Sequence, residues 1–118
     1  MNTSNKSALF RGILGWILCL LLTFIFLMIG GMKLLSKPIM VHEFEQVGLG
    51  QWFRYFTGTL EIIGAVGLLI PKFSRWAALL LAVVMVGALV AHFTVLHTSP
   101  TAALIMLALS VLIAWLRR

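Results

Sequence analysis

The chain has 118 residues, of which 62% are hydrophobic and 10% are charged, and its formal net charge is +6 at pH 7. Soluble domains are about 45–50% apolar, so the composition excludes an ordinary soluble domain, and at about 20 residues per spanning helix the length leaves no room for a separate soluble catalytic domain. The positive charge does not indicate a nucleic-acid partner, because the Lys and Arg residues flank apolar segments, as topology signals do.

Four apolar segments are long enough to be membrane-spanning helices, and they cover residues 12–35, 52–70, 75–96 and 101–116. The first follows Lys6 and Arg11 and so resembles a signal peptide. It is longer than the usual hydrophobic region of about 7–15 residues and has no cleavage motif, so we interpret it as a retained span. It contains Cys19, the only cysteine, which excludes a disulfide within the chain and a CxxC redox pair.

The loop after the first segment is predicted to form a short amphipathic helix on the outer membrane surface. Ser36 is a candidate N-cap, Pro38 suits a first helical turn, and glycines at positions 48 and 50 end the pattern. Apolar residues recur at helical spacing on one face, namely Met40, Phe44 and Val47. As a lid over the mouth of the bundle, this helix would have a functional role.

Aromatic residues mark the start of the second segment: Trp52, Phe53, Tyr55 and Phe56. Interfacial anchoring explains them better than a ligand cage.

The second segment contains Glu61, one of three carboxylate side chains in the sequence. It lies about nine residues from Trp52, or roughly 13 Å along a helix, and hence near the middle of the membrane. A charge there costs at least about 2.5 kcal/mol, so Glu61 should face the bundle interior and find a partner. Its predicted face is rich in small residues that favour tight helix packing, above all Gly58, Gly64 and Ala65, and is completed by Arg54, Thr57 and Leu68.

Short breaks at residues 71–74 and 97–100 separate the last three segments, which predicts antiparallel neighbours. The predicted fold class is all-α: a four-helix antiparallel transmembrane bundle that forms one integral membrane domain over residues 1–118. One side of the membrane would carry six cationic residues, Lys6, Arg11, Lys72, Arg75, Arg117 and Arg118, and the other three, Lys33, Lys37 and Arg54. The positive-inside rule therefore predicts that both termini are cytoplasmic.

Three residues of the outer half could join Glu61 in an intramembrane polar site: Lys33, Arg54 and His92. A snorkelling, purely topological role is the simpler interpretation of Lys33 at its helix end. Arg54 is about 10 Å from Glu61 along the axis, which makes direct contact marginal. For His92, a hydrogen-bonded interior histidine and a proton relay both stay open. For Glu61 we favour function, because an intramembrane carboxylate marks a functional site by default.

No catalytic residue can be identified from motifs. The sequence has no Ser/His/Asp triad candidate, no glycine-rich phosphate loop and no pair of histidines spaced for haem or zinc. We therefore predict no metal and no tightly bound cofactor, and an accessory or non-catalytic subunit is favoured over a self-contained oxidoreductase.

Three stretches carry a family resemblance: GGMKL at residues 30–34, PIMVHEFEQVGLGQWFRYFTGTLEIIGAVGLLIP at 38–71 and RWAALLLAVVMVGALVAH at 75–92. Together they resemble the DoxX-like family of small four-span bacterial membrane proteins. The resemblance implies a four-helix bundle in the bacterial cytoplasmic (inner) membrane. It also implies an association with redox systems, since the family includes a quinone-linked thiosulfate oxidation subunit in some archaea and members that form complexes with superoxide- and sulfur-handling enzymes in some bacteria.

Three functions are compatible with these features. The favoured one is a redox-linked membrane component that offers a pocket near Glu61 to a quinone or another lipid-phase molecule and acts with a partner enzyme. The second is a proton-coupled transporter with Glu61 and His92 as its relay, which would need a homo-oligomer because four spans are few for alternating access. The third is a scaffold or assembly factor in which the Glu61 network only fixes helix register.

Overall fold

A computed structural model describes the backbone of residues 3–118 and the side chains from Asn5 onward. The helices are α1 (Thr3–Leu34), α2 (Pro38–Val47), α3 (Gln51–Leu68), α4 (Ser74–Ala91) and α5 (Thr101–Leu116), and α4 continues into a π-helical segment, His92–Leu96. The described chain is about 85% helical and contains no strand. The all-α class is confirmed.

The helix boundaries depart from the apolar segments mainly at the first helix. The first apolar segment begins at residue 12, whereas α1 begins at Thr3. Residues 3–11 contain neither Pro nor Gly, so nothing in their backbone chemistry prevents the helix from extending beyond the apolar stretch. Hydropathy therefore marks where the apolar surface begins, and the helix itself is longer.

Two described helices are long and apolar enough to cross a membrane, over Asn5–Leu34 and Ser74–Leu96. The apolar helix α5 has only 16 residues, and the 18 residues of α3 include Arg54 and Glu61. The four-span arrangement and the interfacial position of α2 stay predictions.

The long helices pack as a ring, in which α1 and α4 each contact both α3 and α5. α1 and α3 are antiparallel, because the Thr23 hydroxyl donates to the Ala65 carbonyl oxygen at 2.9 Å while Gly30 approaches Gly58 further along. The fully buried apolar core consists of Cys19, Leu22, Phe26, Ala65, Leu68, Ala78, Leu81 and Ile113. Helix α2 lies outside this ring, against α3 and the π-helical segment.

The capping of α2 differs from the sequence-based expectation at one end. Pro38 is in the first turn as predicted, but the N-cap is Lys37 and not Ser36. Ser36 has a left-handed backbone (φ 58°), and its hydroxyl lies 3.1 Å from the hydroxyl of Tyr55, so it serves the turn between α1 and α2. At the other end Gly48 has φ 81°, the left-handed conformation that glycine adopts without steric cost.

Candidate functional site

Glu61 lies in the middle of α3 and is fully buried (0% exposed). Six of the seven residues predicted to share its face are buried: Arg54, Gly58, Glu61, Gly64, Ala65 and Leu68. The seventh, Thr57, is half-buried. This burial confirms the prediction that Glu61 faces the interior of the bundle. The positions lie on one side of α3 because each residue of an α-helix is rotated by about 100° from the one before.

Glycines let the neighbouring helices approach α3 closely at this level. A Cβ atom on Gly58 would lie 3.0 Å from the Cβ of Lys33, and one on Gly30 would lie 3.0 Å from the carbonyl oxygen of Gly58. Toward α4, a Cβ on Gly64 would lie 2.6 Å from the Cδ2 of Leu81. The small residues of α3 are therefore packing positions, as close helix contacts in lipid require.

Lys33 forms an ion pair with Glu61, in which its Nζ donates a hydrogen bond to Oε1. The Lys33 side chain is only 11% exposed, so the interpretation of Lys33 as a snorkelling lysine is wrong. The Lys33 Cβ packs against Gly58, where a side chain on α3 would crowd it, and the ammonium is directed inward to Glu61. The second carboxylate oxygen of Glu61, Oε2, is buried and has no hydrogen-bond partner among the described residues.

Arg54 joins the cluster through the backbone of α1. Its Nη1 donates to the carbonyl oxygen of Lys33, its Nε donates to Gln51 Oε1 at 2.8 Å, and its guanidinium carbon is 4.2 Å from the centre of the Tyr55 ring. Arg54 is 3% exposed. Lys33 is in the last turn of α1, where carbonyl groups lack partners within the helix. Its carbonyl oxygen accepts from the Ser36 N–H at 3.3 Å and from Arg54, which also places a positive charge at the negative end of the helix dipole. No bond joins Arg54 to Glu61, consistent with the marginal reach expected from their spacing.

A cavity of about 250 Å³ lies beside this cluster, enclosed by α2, α3, α4 and the π-helical segment. Its aromatic walls are Phe44, Phe53 and Phe56, and its polar lining residues are Lys33, Glu43, Thr57 and His92. The Lys33 ammonium is 5.6 Å from the centre of the Phe44 ring. The Lys33 ammonium therefore interacts both with the buried Glu61 carboxylate and with the Phe44 ring in the cavity wall.

His92 lines the cavity together with Lys33, but it does not contact Glu61. It is half-buried, and its Nδ1 lies 2.6 Å from the Thr98 hydroxyl in the connection to α5. The four residues of the predicted polar site are thus connected in three ways: Lys33 and Glu61 directly, Arg54 through a main-chain carbonyl, and His92 across the cavity.

The sequence-based prediction did not include Glu43 or Gln51. Gln51 links two elements, because its Oε1 accepts from Arg54 and its Nε2 donates to the Val41 carbonyl oxygen of α2 at 3.1 Å. Glu43 follows no motif, and only the fold of α2 over α3 brings it to the cavity. The position of Glu43 next to Phe44, on the apolar side of an amphipathic helix, was the one available signal.

The arrangement combines a buried proton-bearing ion pair with an aromatic cavity. Among the described residues, no three His, Cys, Asp or Glu side chains are grouped so that they could hold a metal ion. Cys19 is buried, with its sulfur 3.5 Å from the Ser74 hydroxyl. The described side chains at the cavity supply hydrogen-bond donors and acceptors beside aromatic rings.

A family model described as the DoxX-like family matches residues 17–116, a range that includes every residue of the ion pair and the cavity. No curated protein and no solved structure gives a significant match.

Proposed function

The chain belongs to the DoxX-like family, and from that premise we propose that it is a redox-linked membrane protein whose cavity binds the head group of a quinone. It works with a partner enzyme that holds the electron-carrying cofactor. The family and the apolar helices together indicate a membrane protein. The quinone, the partner and the multi-pass topology are part of the proposal.

In the proposed topology, α1, α3, α5 and the continuous helix formed by α4 and the π-helical segment each cross the cytoplasmic membrane of a bacterium, with both termini in the cytoplasm. The distribution of cationic residues supports this orientation. The cavity then opens in the outer half of the bundle, and α2 covers it at the membrane surface. Exposed apolar side chains on the outside of the ring, such as Phe24, Val86 and Ile105, would contact lipid.

The observation that carries the proposal is the buried Lys33 at the aromatic cavity. A quinone ring stacks on aromatic side chains, and its carbonyl oxygens accept hydrogen bonds. The Lys33 ammonium has three N–H donors and gives one of them to Glu61. At about 250 Å³ the cavity is smaller than the roughly 300–1,000 Å³ of sites for drug-sized ligands, so it fits a single ring and leaves an isoprenoid tail outside.

A quinone takes up two electrons and two protons when it is reduced to quinol, and the quinol releases them when it is oxidised. In this proposal the partner enzyme exchanges the electrons. Lys33 lines the cavity and is paired with Glu61, so in this proposal the protons pass between the quinone and the Lys33–Glu61 pair. The chain itself orients the ring and excludes water from it.

A substitution that fills the cavity tests the ligand site without touching the ion pair. Gly87 lines the cavity, and a Cβ atom added there meets nothing within 4 Å, so Gly87→Leu places a side chain in open space. Gly31→Leu is the matched control, since a Cβ on Gly31 is equally free. Titration of the purified protein in lipid nanodiscs with a short-tailed benzoquinone should show binding at least about tenfold weaker for Gly87→Leu and unchanged for Gly31→Leu. Equal binding by both variants would place any quinone site elsewhere.

Glu61→Gln tests the role of the carboxylate, with Glu45→Gln on the exposed surface of α2 as control. We expect Glu61→Gln to weaken quinone binding and to abolish quinone-dependent electron transfer in native membranes, whereas Glu45→Gln keeps both. The proposal is wrong if a correctly inserted Glu61→Gln protein retains both. A Glu61-dependent proton flux in proteoliposomes without quinone binding would instead favour a transporter.

A further inference from the structure

A second polar cluster lies at the other end of the bundle, where the beginning of α1 meets the end of α5. A hollow of about 220 Å³ is lined there by Ala8, Arg11, Gly12, Leu116 and Arg117. The chain's three carboxylate side chains are in α2 and α3, so the charged side chains at this end are all cationic. The quinone proposal makes no use of this hollow.

Aromatic rings and one carbonyl hold the arginines in place. The guanidinium of Arg117 lies 4.8 Å from the ring centre of Trp16, and that of Arg11 lies 5.6 Å from Trp115. Arg11 Nη2 also donates to the carbonyl oxygen of Leu116 at 3.3 Å. These contacts orient the two guanidinium groups without neutralising either charge.

Several donors of the pair lack an acceptor. Arg11 Nε and Arg117 Nε and Nη2 are buried and have no hydrogen-bond partner among the described residues. Within the described part of the chain, no carboxylate, the C-terminal one included, forms a salt bridge with either arginine. Buried donors without an acceptor are unfavourable, and two uncompensated charges beside one hollow add to that cost. An anion with several oxygen atoms would relieve both.

We propose that Arg11 and Arg117 bind a phosphate group in this hollow, supplied by the head group of an anionic phospholipid or by free phosphate. Arginine suits this ligand because its planar fork of donors matches phosphate oxygens. Exposed apolar side chains lie next to the arginines: Trp16 and Trp115 contact them, and Phe10 and Ile13 flank Arg11 and Gly12 in α1. These side chains would lie along the acyl chains of a lipid. Binding would fix the ends of α1 and α5 to each other.

The test compares Arg11→Gln, Arg117→Gln and their combination with Arg75→Gln. Arg75 is a matched control, because it also stacks on a tryptophan, 5.2 Å from the ring centre of Trp76, and does not line the hollow. Detergent-purified protein is titrated separately with phosphatidylglycerol, phosphatidylcholine and inorganic phosphate, and bound molecules are counted by native mass spectrometry. Wild type and Arg75→Gln should bind phosphatidylglycerol at least about tenfold more tightly than the double variant does. All three proteins should bind phosphatidylcholine equally weakly.

The three ligands separate the two sources of phosphate. Arginine-dependent binding of phosphatidylglycerol alone identifies a lipid site, and arginine-dependent binding of inorganic phosphate identifies a soluble anion site. Equal binding of every ligand by wild type and the double variant would overturn the proposal. Gly12→Leu gives an independent check if the arginine variants misfold, since a Cβ on Gly12 meets nothing within 4 Å and the larger side chain would fill the hollow. Undiminished binding by Gly12→Leu would also overturn it.

Discussion

The ion pair between Lys33 and Glu61 predicts strong energetic coupling between the two residues. Glu61 is 0% exposed and the Lys33 side chain 11% exposed, so neither charge has bulk water to replace its partner. Removal of one member of a buried pair typically costs about 3–5 kcal/mol, because the remaining charge is uncompensated. We therefore expect Lys33→Met and Glu61→Leu each to lower the free energy of unfolding by about 3–5 kcal/mol.

The double variant Lys33→Met/Glu61→Leu should be far less damaging than the sum of the single changes. Replacement of a whole buried ion pair by apolar residues of similar volume is often neutral or stabilising. We expect a coupling energy of at least about 2 kcal/mol, within the range measured for residues in direct contact. In contrast, Lys37→Met, the same change at an exposed lysine in the next turn of the chain, should alter stability by at most about 0.5 kcal/mol.

Reversible unfolding in mixed detergent micelles, followed by circular dichroism, gives all four free energies of the cycle. Single-variant costs that add to within about 0.5 kcal/mol would show that the two side chains do not interact. That result would refute the ion pair and remove the basis for a proton-bearing site beside the cavity.

Two further predictions concern packing between the helices. Gly64→Ala should destabilise the protein by about 1–3 kcal/mol, since its Cβ would lie 2.6 Å from a methyl carbon of Leu81. Thermal unfolding should show this loss in the wild-type background but not when Gly64→Ala is added to Leu81→Ala, and the control Gly31→Ala should not show it. Thr23→Val removes the 2.9 Å hydrogen bond to the Ala65 carbonyl oxygen and should cost about 0.6–1.7 kcal/mol in the same assay. No change in unfolding for Thr23→Val would mean that this bond contributes nothing to holding α1 against α3.

Several features of the fold could be predicted from the residues because they depend on local geometry. Apolar runs broken by Pro, Gly and Ser placed the helices, and the helical repeat placed Glu61 on a buried face with Gly58 and Gly64. The same reasoning located α2 between Pro38 and Gly48. It failed at Ser36, because the left-handed backbone of that residue depends on how the chain turns from α1 toward α3.

The partners of the polar residues could not be predicted in the same way. Lys33 was expected to extend toward the membrane surface, and it turns inward because Gly58 on another helix leaves room for its stem. Arg54 bonds the Lys33 carbonyl oxygen, and His92 bonds Thr98, contacts that depend on the ends of α1 and α4.

The amino-acid sequence by itself determined that this protein is helical and apolar, and that one carboxylate lies within a helical face lined by small residues. These properties follow from side-chain chemistry and from the repeat of a single helix. Only the tertiary structure decided which cation pairs with Glu61 and that α2 helps to enclose an aromatic cavity. It also brought Arg11 and Arg117, which are 106 positions apart in sequence, to the same hollow. Such contacts depend on the distance and rotation between helices, which the pattern along one chain does not specify.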